Sequence, residues 1–217
     1  MTDMSANYLD FAAFERTPLT REPFDFMVVP DFVKADMFKP VVADFPAVPG
    51  PGSHPPSELA VTGHFKSLMD SLESPAFRKA VEAKFGIDLQ GRPTMYTVRG
   101  FVRQNDGSIH TDSTTKIITV LLYLNERWEE DAGRLRLLRN GTDLEDYVAE
   151  VPPYGGTLLV FKRADNSWHG HKPVAGPRRA IQLNWVTDAS VVGHEQRRHR
   201  LSTRFKKIKN FFMPRAA

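Results

Sequence analysis

The sequence has no cysteine among its 217 residues. Disulfide bonds, thiolate metal ligands and cysteine nucleophiles are therefore excluded, and any metal must be held by histidine and carboxylate side chains. The chain also has no apolar run approaching the roughly 18 residues of a membrane-spanning helix. Its first residues lack the basic and apolar stretches of a signal peptide. These absences fit a reducing compartment, and we expect a cytoplasmic protein.

Positive charge is concentrated at the C-terminal end. The whole chain has a formal net charge of +3, whereas residues 194–217 hold eight Arg and Lys against one Glu. The +7 of that segment leaves −4 for the rest of the chain. The net positive charge is therefore poor evidence for nucleic-acid binding, and we expect no specific nucleic-acid partner.

The C-terminal tail, residues 189–217, also has an apolar stripe with helical spacing. The stripe repeats at intervals of four, three and four residues: Leu201, Phe205, Ile208 and Phe212. Arginine and lysine surround it, which predicts a basic amphipathic helix. Such a helix can contact an anionic membrane surface or an acidic partner, or it can pack on the chain's own acidic body.

The rest of the chain divides into a helical part, residues 1–93, and a strand-rich part, residues 94–188. Helix-like spacing of apolar residues covers 34–45 and 57–85, and prolines within both stretches are expected to start, kink or break a helix. Between them, 46–57 is rich in Pro and Gly and predicts an exposed loop.

Seven short β-type segments, separated by turn residues, fill the second part. They are 94–102, 116–125, 133–140, 146–151, 157–162, 167–174 and 178–186. Helices followed by such a run of strands predict a single, mainly β domain with N-terminal helices. The expected architecture is a double-stranded β-helix, or jelly-roll barrel, braced by helices on one face.

A candidate metal site lies at His110-Thr111-Asp112. Chance alone gives one such His-x-acid pair in a chain with seven His and 26 acidic residues, so the surroundings must supply the specificity. The pair follows a turn and precedes a strongly β-forming run, and His169 lies in a late predicted strand. Two imidazoles and one carboxylate leave open positions on non-haem Fe(II) for a chelating acid and O₂. The alternative is a turn in which Asp112 bonds backbone N–H groups.

Around these residues the chain resembles the Fe(II)/2-oxoglutarate dioxygenases, in their prolyl-4-hydroxylase-like branch. The resemblance runs from about residue 95 to 188. It rests on HTD, on the YLN at 123–125, on the LLVF at 158–161 and on SWHGHKPVAGPRRAIQLNW. It implies a hydroxylase that uses Fe(II) and 2-oxoglutarate, with ascorbate as an accessory reductant, and that releases succinate and CO₂.

The resemblance also implies roles for individual residues. His110, Asp112 and His169 bind iron. Arg178, nine residues after His169, grips the far carboxylate of 2-oxoglutarate, and Tyr123 shares that carboxylate. Asp112 favours hydroxylation, since related halogenases have a small residue there. One departure is Gly100, where some relatives have an aromatic residue that holds 2-oxoglutarate or covers the iron.

Strand alternation supports this assignment independently. One face of the last predicted strand is mostly polar: Arg178, Ala180, Gln182 and Asn184. On the strand after the His-x-Asp pair, one face is aliphatic: Ile118, Val120, Leu122 and Leu124. We expect the aliphatic faces to pack under the N-terminal helices, and Tyr123, Arg178 and Gln182 to point into a wet interior.

Alternatives remain at two positions. His171 lies two residues after His169, so both face the same side of a strand and either could reach the metal; the spacing to Arg178 favours His169. Arg179 could replace Arg178, although its parity places it on the aliphatic face. Arg103 and Lys116 flank the metal motif and could bind an anionic or carbonyl-bearing substrate, but we expect both to be solvated charges.

The primary substrate is not identified by these motifs. It could be a protein side chain, an amino acid, a saccharide or a small metabolite. Two other functions compete with the hydroxylase. One is a cupin-type metal oxygenase that does not use 2-oxoglutarate, and the other is a catalytically silent jelly-roll that binds a ligand.

Overall fold

The structure is a computed structural model and describes residues 8–190. The helices are α1 (Phe11–Arg16), α2 (Ala35–Ala43), α3 (Gly63–Glu73) and α4 (Pro75–Phe85). The strands are β1 (Phe26–Val29), β2 (Thr94–Val102), β3 (Lys116–Tyr123), β4 (Leu135–Leu138), β5 (Tyr147–Val151), β6 (Leu158–Lys162), β7 (His169–Gly170) and β8 (Gly176–Val186). The predicted amphipathic helix of the tail lies outside the described residues.

Proline divides the second predicted helical stretch into two helices, as expected. The Ser74 side chain accepts a hydrogen bond from the Phe77 N–H at 3.2 Å and so caps α4. Pro75 takes the first helical position, where its missing N–H has no helical partner to lose. Pro40 differs, because α2 continues through it.

The strands form two antiparallel sheets. The larger has the order β1-β6-β3-β8-β2, and the smaller has the order β5-β4-β7. β8 lies between β3 and β2, so Ala180 has Tyr123 on one side and Arg99 on the other. The predicted mainly β class is therefore confirmed, with a few helices and with antiparallel sheets.

The main core joins one face of the large sheet to the helices. Its strand residues include the apolar, alternating residues predicted on two strands: Ile118, Val120, Leu122, Ile181, Leu183 and Trp185. Helical residues in the same cluster include Phe65, Leu68, Leu72, Phe77 and Val81. The rings of Phe77 and Trp185 lie 6.1 Å apart. The sequence alternation thus identified the buried face correctly.

The Pro- and Gly-rich segment 46–57 lies along β2. His54 and Val98 exchange two backbone hydrogen bonds, at 3.0 and 2.8 Å. Gly100 permits the close approach, because a Cβ built there would lie 2.8 Å from the Val48 Cβ. This docking brings Ser53 to the rim of a cavity. Among the described residues, no helix is long and apolar enough to span a membrane.

Candidate functional site

His110, Asp112 and His169 form the metal-ligand group found among the described residues. One potential ligand atom from each side chain lies within 4.8 Å of the others. The backbone explains the pairing of the two histidines. His110 N–H donates to the His169 carbonyl at 3.0 Å, and His169 N–H donates to the His110 carbonyl at 2.9 Å. Their rings are consequently 4.3 Å apart.

Both imidazoles are oriented by hydrogen bonds at Nδ1. His110 Nδ1 lies 2.9 Å from the Ser108 carbonyl oxygen, and His169 Nδ1 lies 3.0 Å from the Ser167 carbonyl oxygen. A carbonyl only accepts, so Nδ1 must carry the proton in each neutral ring. The Nε2 lone pairs are then left for a metal, and the carbonyls fix the ring orientation.

Asp112 is buried and held by two donors. Lys116 Nζ lies 2.6 Å from Oδ1, and the Thr119 hydroxyl donates to Oδ2 at 2.5 Å. Burial disfavours the charged carboxyl, but the charge of Lys116 and the hydrogen bonds from Lys116 and Thr119 outweigh it and lower the pKa of Asp112. The carboxylate is thus ionised and ready to bind a cation. The expectation that Lys116 is a solvated charge is wrong, because its side chain is only 15% exposed.

His169 is kept neutral by its surroundings. Burial, and then the neighbouring His110, lowers its pKa from 6.5 to about 4. A neutral imidazole has the lone pair that a metal requires. His171 lies in the same cavity, but it is not part of the group with His110 and Asp112.

The three residues line a cavity with two lobes. The Arg178 lobe, of about 150 Å³, contains Arg178 and Tyr123. The Ser53 lobe, of about 270 Å³, contains Ser53, Thr97 and Asn184. The two lobes share five lining residues, Arg99, His110, Asp112, Lys116 and Gln182. The metal-ligand group therefore lies at the junction of the lobes.

Arg178 is buried in its lobe and fixed by two hydrogen bonds. Its Nε donates to the Gly133 carbonyl at 3.0 Å, and an Nη donates to the Tyr123 hydroxyl at 3.3 Å. The guanidinium carbon also lies 5.0 Å from the Tyr123 ring centre. Arg179 points the other way and lies 5.3 Å from the ring of Phe45. Of the two candidate arginines, Arg178 is the one in the cavity.

The family model described as "2OG-Fe(II) oxygenase superfamily" matches residues 94–187. Over these residues the chain is similar to that superfamily. The family predicted from the sequence motifs is confirmed. These oxygenases use Fe(II) and 2-oxoglutarate, so the predicted metal and co-substrate are confirmed with it. No curated protein matches the sequence of this oxygenase.

Solved structures share the fold of the oxygenase. A prolyl hydroxylase from Trichoplax adhaerens, solved with a peptide fragment of the hypoxia inducible factor oxygen degradation domain, is 17% identical. It gives a TM-score of 0.51 over 84% of this chain and 89% of that chain. A Pseudomonas putida prolyl-4-hydroxylase is 18% identical, with a TM-score of 0.49 over 84% and 92% of the two chains. At this identity the Trichoplax likeness shows the fold alone.

The donor set of the oxygenase fits Fe(II). Two neutral imidazole nitrogens and one ionised carboxylate are the ligands that this metal takes in non-haem oxygenases, with positions left for small ligands. His110, Asp112 and His169 provide that set. They lie where the two lobes of the cavity meet, so a ligand in either lobe could approach the metal. The carbonyl and hydroxyl partners of these side chains supply the supporting hydrogen bonds that metal ligands usually have.

Among the site residues that sequence reasoning missed is a cation, Arg99. The relatives' aromatic position falls at Gly100, but Gly100 packs against Val48 on the outer face of β2. Arg99 occupies the inner face and lines both lobes. The signal was present in the alternation of β2, because Thr97 and Arg99 share a face opposite the apolar Val98.

Proposed function

We propose that this oxygenase is an Fe(II)- and 2-oxoglutarate-dependent hydroxylase in which His110, Asp112 and His169 hold the metal. The proposal rests on one observation above all. A complete ligand group and a buried arginine with a tyrosine hydroxyl line the same small lobe. This combination suits a short dicarboxylate that chelates the metal at one end and binds Arg178 at the other.

Arg178 and Tyr123 are preorganised for a carboxylate. A guanidinium has five N–H donors, and Gly133 and Tyr123 each accept one bond from Arg178. Three donors therefore remain for a ligand, which allows a bidentate ion pair. The Tyr123 oxygen accepts from Arg178, so its own proton is available to the same carboxylate.

When bound, the iron with its co-substrate supplies oxidative chemistry. One O₂ is consumed, one oxygen atom enters the succinate formed as CO₂ leaves 2-oxoglutarate, and the other replaces a substrate C–H bond with C–OH. The contribution of the chain is positional. Asp112 stays ionised beside Lys116, and His110 and His169 keep their Nδ1 protons on carbonyls.

The finer architecture belongs to the same proposal. The two antiparallel sheets, with the cavity residues on one face and the helical core on the other, support a jelly-roll barrel braced by the helices. We place the catalytic core at residues 94–188 of a single domain, with support from 1–93. A cytoplasmic location and contact of the tail, residues 189–217, with a membrane or acidic partner are part of the proposal too.

The test is metal binding and co-substrate turnover by the full chain. We expect one Fe(II) per chain and slow, substrate-independent conversion of 2-oxoglutarate to succinate. Alanine at His110, Asp112 or His169 should abolish the conversion, because each removes a ligand. A cupin-type oxygenase would bind iron without consuming 2-oxoglutarate, and a silent binding module would show neither property.

A further inference from the structure

Arg99 is a cation inside the cavity that has no hydrogen-bond or ion-pair partner within residues 8–190. It lies on β2 directly across from Ala180, in the same row as Tyr123 of β3. Among the described residues, its guanidinium makes no hydrogen bond and has no carboxylate within 4.0 Å. The nearby acid Asp106 is occupied by the Arg103 side chain and backbone N–H. Arg99 as a residue is half-buried and its Nε is fully buried, and a cation left this way calls for a ligand.

Two buried donors on the wall of the Ser53 lobe also lack acceptors. Arg99 Nε and Asn184 Nδ2 are both buried without a hydrogen-bond partner. Buried polar groups are nearly always satisfied in folded proteins. The Asn184 oxygen, by contrast, accepts from Gln182 at 3.3 Å, and it lies 3.0 Å from the Thr119 hydroxyl, whose single proton is donated to Asp112. What this lobe lacks is therefore an acceptor.

The co-substrate does not supply the missing negative charge. Under the proposed function, a divalent metal is neutralised by Asp112 and the chelating carboxylate, and Arg178 is paired with the far carboxylate. Arg99 and Lys116 are then both left as excess cations at the junction of the lobes. Burial, and secondarily Arg178, lowers the pKa of Arg99, but an arginine side chain remains protonated in proteins.

The side chains that line the Ser53 lobe are polar with one exception. Met95 is the one apolar side chain among its lining residues in the described chain, and hydroxyl groups of serine and threonine contribute much of the remainder. Asp112 is its one carboxylate, and that group belongs to the proposed metal site. A lining of this kind matches a charged, polar ligand better than an apolar side chain.

We propose that the Ser53 lobe binds an anionic group, a carboxylate or a phosphate, of the primary substrate, with Arg99 as its main partner. The inference rests on the proposed function and adds the chemical class of the substrate. It makes Arg99 a specificity-determining residue, in contrast to Arg178, which serves the co-substrate. Lys116 adds a second positive charge to the same lobe.

The experiment uses the full chain loaded with Mn(II) and saturated with 2-oxoglutarate, so that no turnover occurs. Inorganic phosphate and acetate are titrated separately by calorimetry at constant ionic strength, which distinguishes the two anion classes. We expect saturable binding of at least one of them. Arg99→Met should weaken that binding about tenfold or more, because it removes a charge-assisted pair.

Two control variants test whether the loss of anion binding is specific to the positive charge of Arg99. Arg103→Met removes the same charge from an exposed residue that lines neither lobe, and it should leave anion binding unchanged. Arg99→Lys should retain part of the binding. Because Arg99 also lines the Arg178 lobe, both Arg99 variants should lose some affinity for 2-oxoglutarate, but less than they lose for the anion.

Several outcomes would overturn the inference. Neither anion binding saturably, or equal anion binding by Arg99→Met, would refute it. So would a tenfold loss of 2-oxoglutarate affinity in Arg99→Met with anion binding intact, since Arg99 would then serve the co-substrate. Failure of the proposed function is distinguishable, because it is seen earlier, when Mn(II) or 2-oxoglutarate fails to bind.

Discussion

Replacing Arg178 with alanine should weaken 2-oxoglutarate binding far more than metal binding. The side chain is only 7% exposed, so a carboxylate bound there is largely removed from water. Losing one partner of such a desolvated pair costs roughly 2–5 kcal/mol, which is about 30-fold or more in affinity. Tyr123 would remain, but one hydroxyl donor cannot replace a bidentate guanidinium.

The assay is calorimetric titration of the Mn(II)-loaded chain with two acids. 2-Oxoglutarate has the far carboxylate, and 2-oxobutyrate keeps the chelating end without it. Arg178→Ala should lose affinity for the first acid and bind the second as the unsubstituted chain does. Arg179→Ala is the matched control, because it removes the adjacent guanidinium, which lies against Phe45 outside the cavity.

The affinities that each variant loses show which arginine binds the far carboxylate. If Arg179→Ala lost affinity for 2-oxoglutarate while Arg178→Ala kept it, the choice of arginine would be wrong. If Arg178→Ala lost both acids equally, the residue would act on the metal site or on the fold and not on the far carboxylate. Metal affinity, measured first for each variant, separates these last two cases.

Four further predictions follow from the same structure and sequence. His169→Ala should abolish conversion of 2-oxoglutarate to succinate while His171→Ala retains it, and the reverse result would reassign the ligand. In the metal-free protein, burial keeps His169 neutral, so its contribution is complete above pH 6.5 and is lost as pH falls towards about 4. Urea unfolding should therefore show a loss of roughly 3 kcal/mol over that window, and a His169→Asn variant without a smaller pH dependence would contradict it. Arg99→Met should raise the melting temperature of the ligand-free chain by about 2–4 °C, because it removes a charge without breaking a hydrogen bond. This shift corresponds to a gain of about 1 kcal/mol in the free energy of unfolding, and a lower melting temperature would refute the prediction. The full chain should co-sediment with anionic vesicles in low salt but not with neutral ones, and a chain ending at Glu195 should not, since each basic residue near such a surface contributes about 1 kcal/mol.

The strand faces were predictable because alternation reflects burial directly. On β8 the apolar residues Ile181, Leu183 and Trp185 pack in the core. The polar residues Arg178 and Gln182 line the cavity. Bounds were accurate where the pattern was long, so β2 spans the predicted residues 94–102. β1 and α1 were missed, since four and six residues are too few to establish a period.

Long-range contacts account for the rest. Lys116 looked solvated because nothing local indicates that β3 places its ammonium on Asp112. Arg99 is outside the family motifs, because the relatives' aromatic position falls at the next residue, Gly100. Gly100 packs against Val48, whereas Arg99 faces the cavity. The contact of Gly100 with Val48 depends on how residues 46–57 dock, and a Pro- and Gly-rich segment does not encode its own docking site.

The metal-ligand group also spans two separate parts of the fold. His110 and Asp112 precede β3 of the five-stranded sheet, whereas His169 begins β7 of the three-stranded sheet. A metal bound by all three side chains would link the two sheets. At a free metal concentration of 100 times its Kd, this binding would stabilise the fold by about 2.7 kcal/mol. In chains made while iron is scarce, β7 is then expected to separate from its sheet more often. Proteases cleave such locally opened backbone, so the iron supply would influence how long the polypeptide survives.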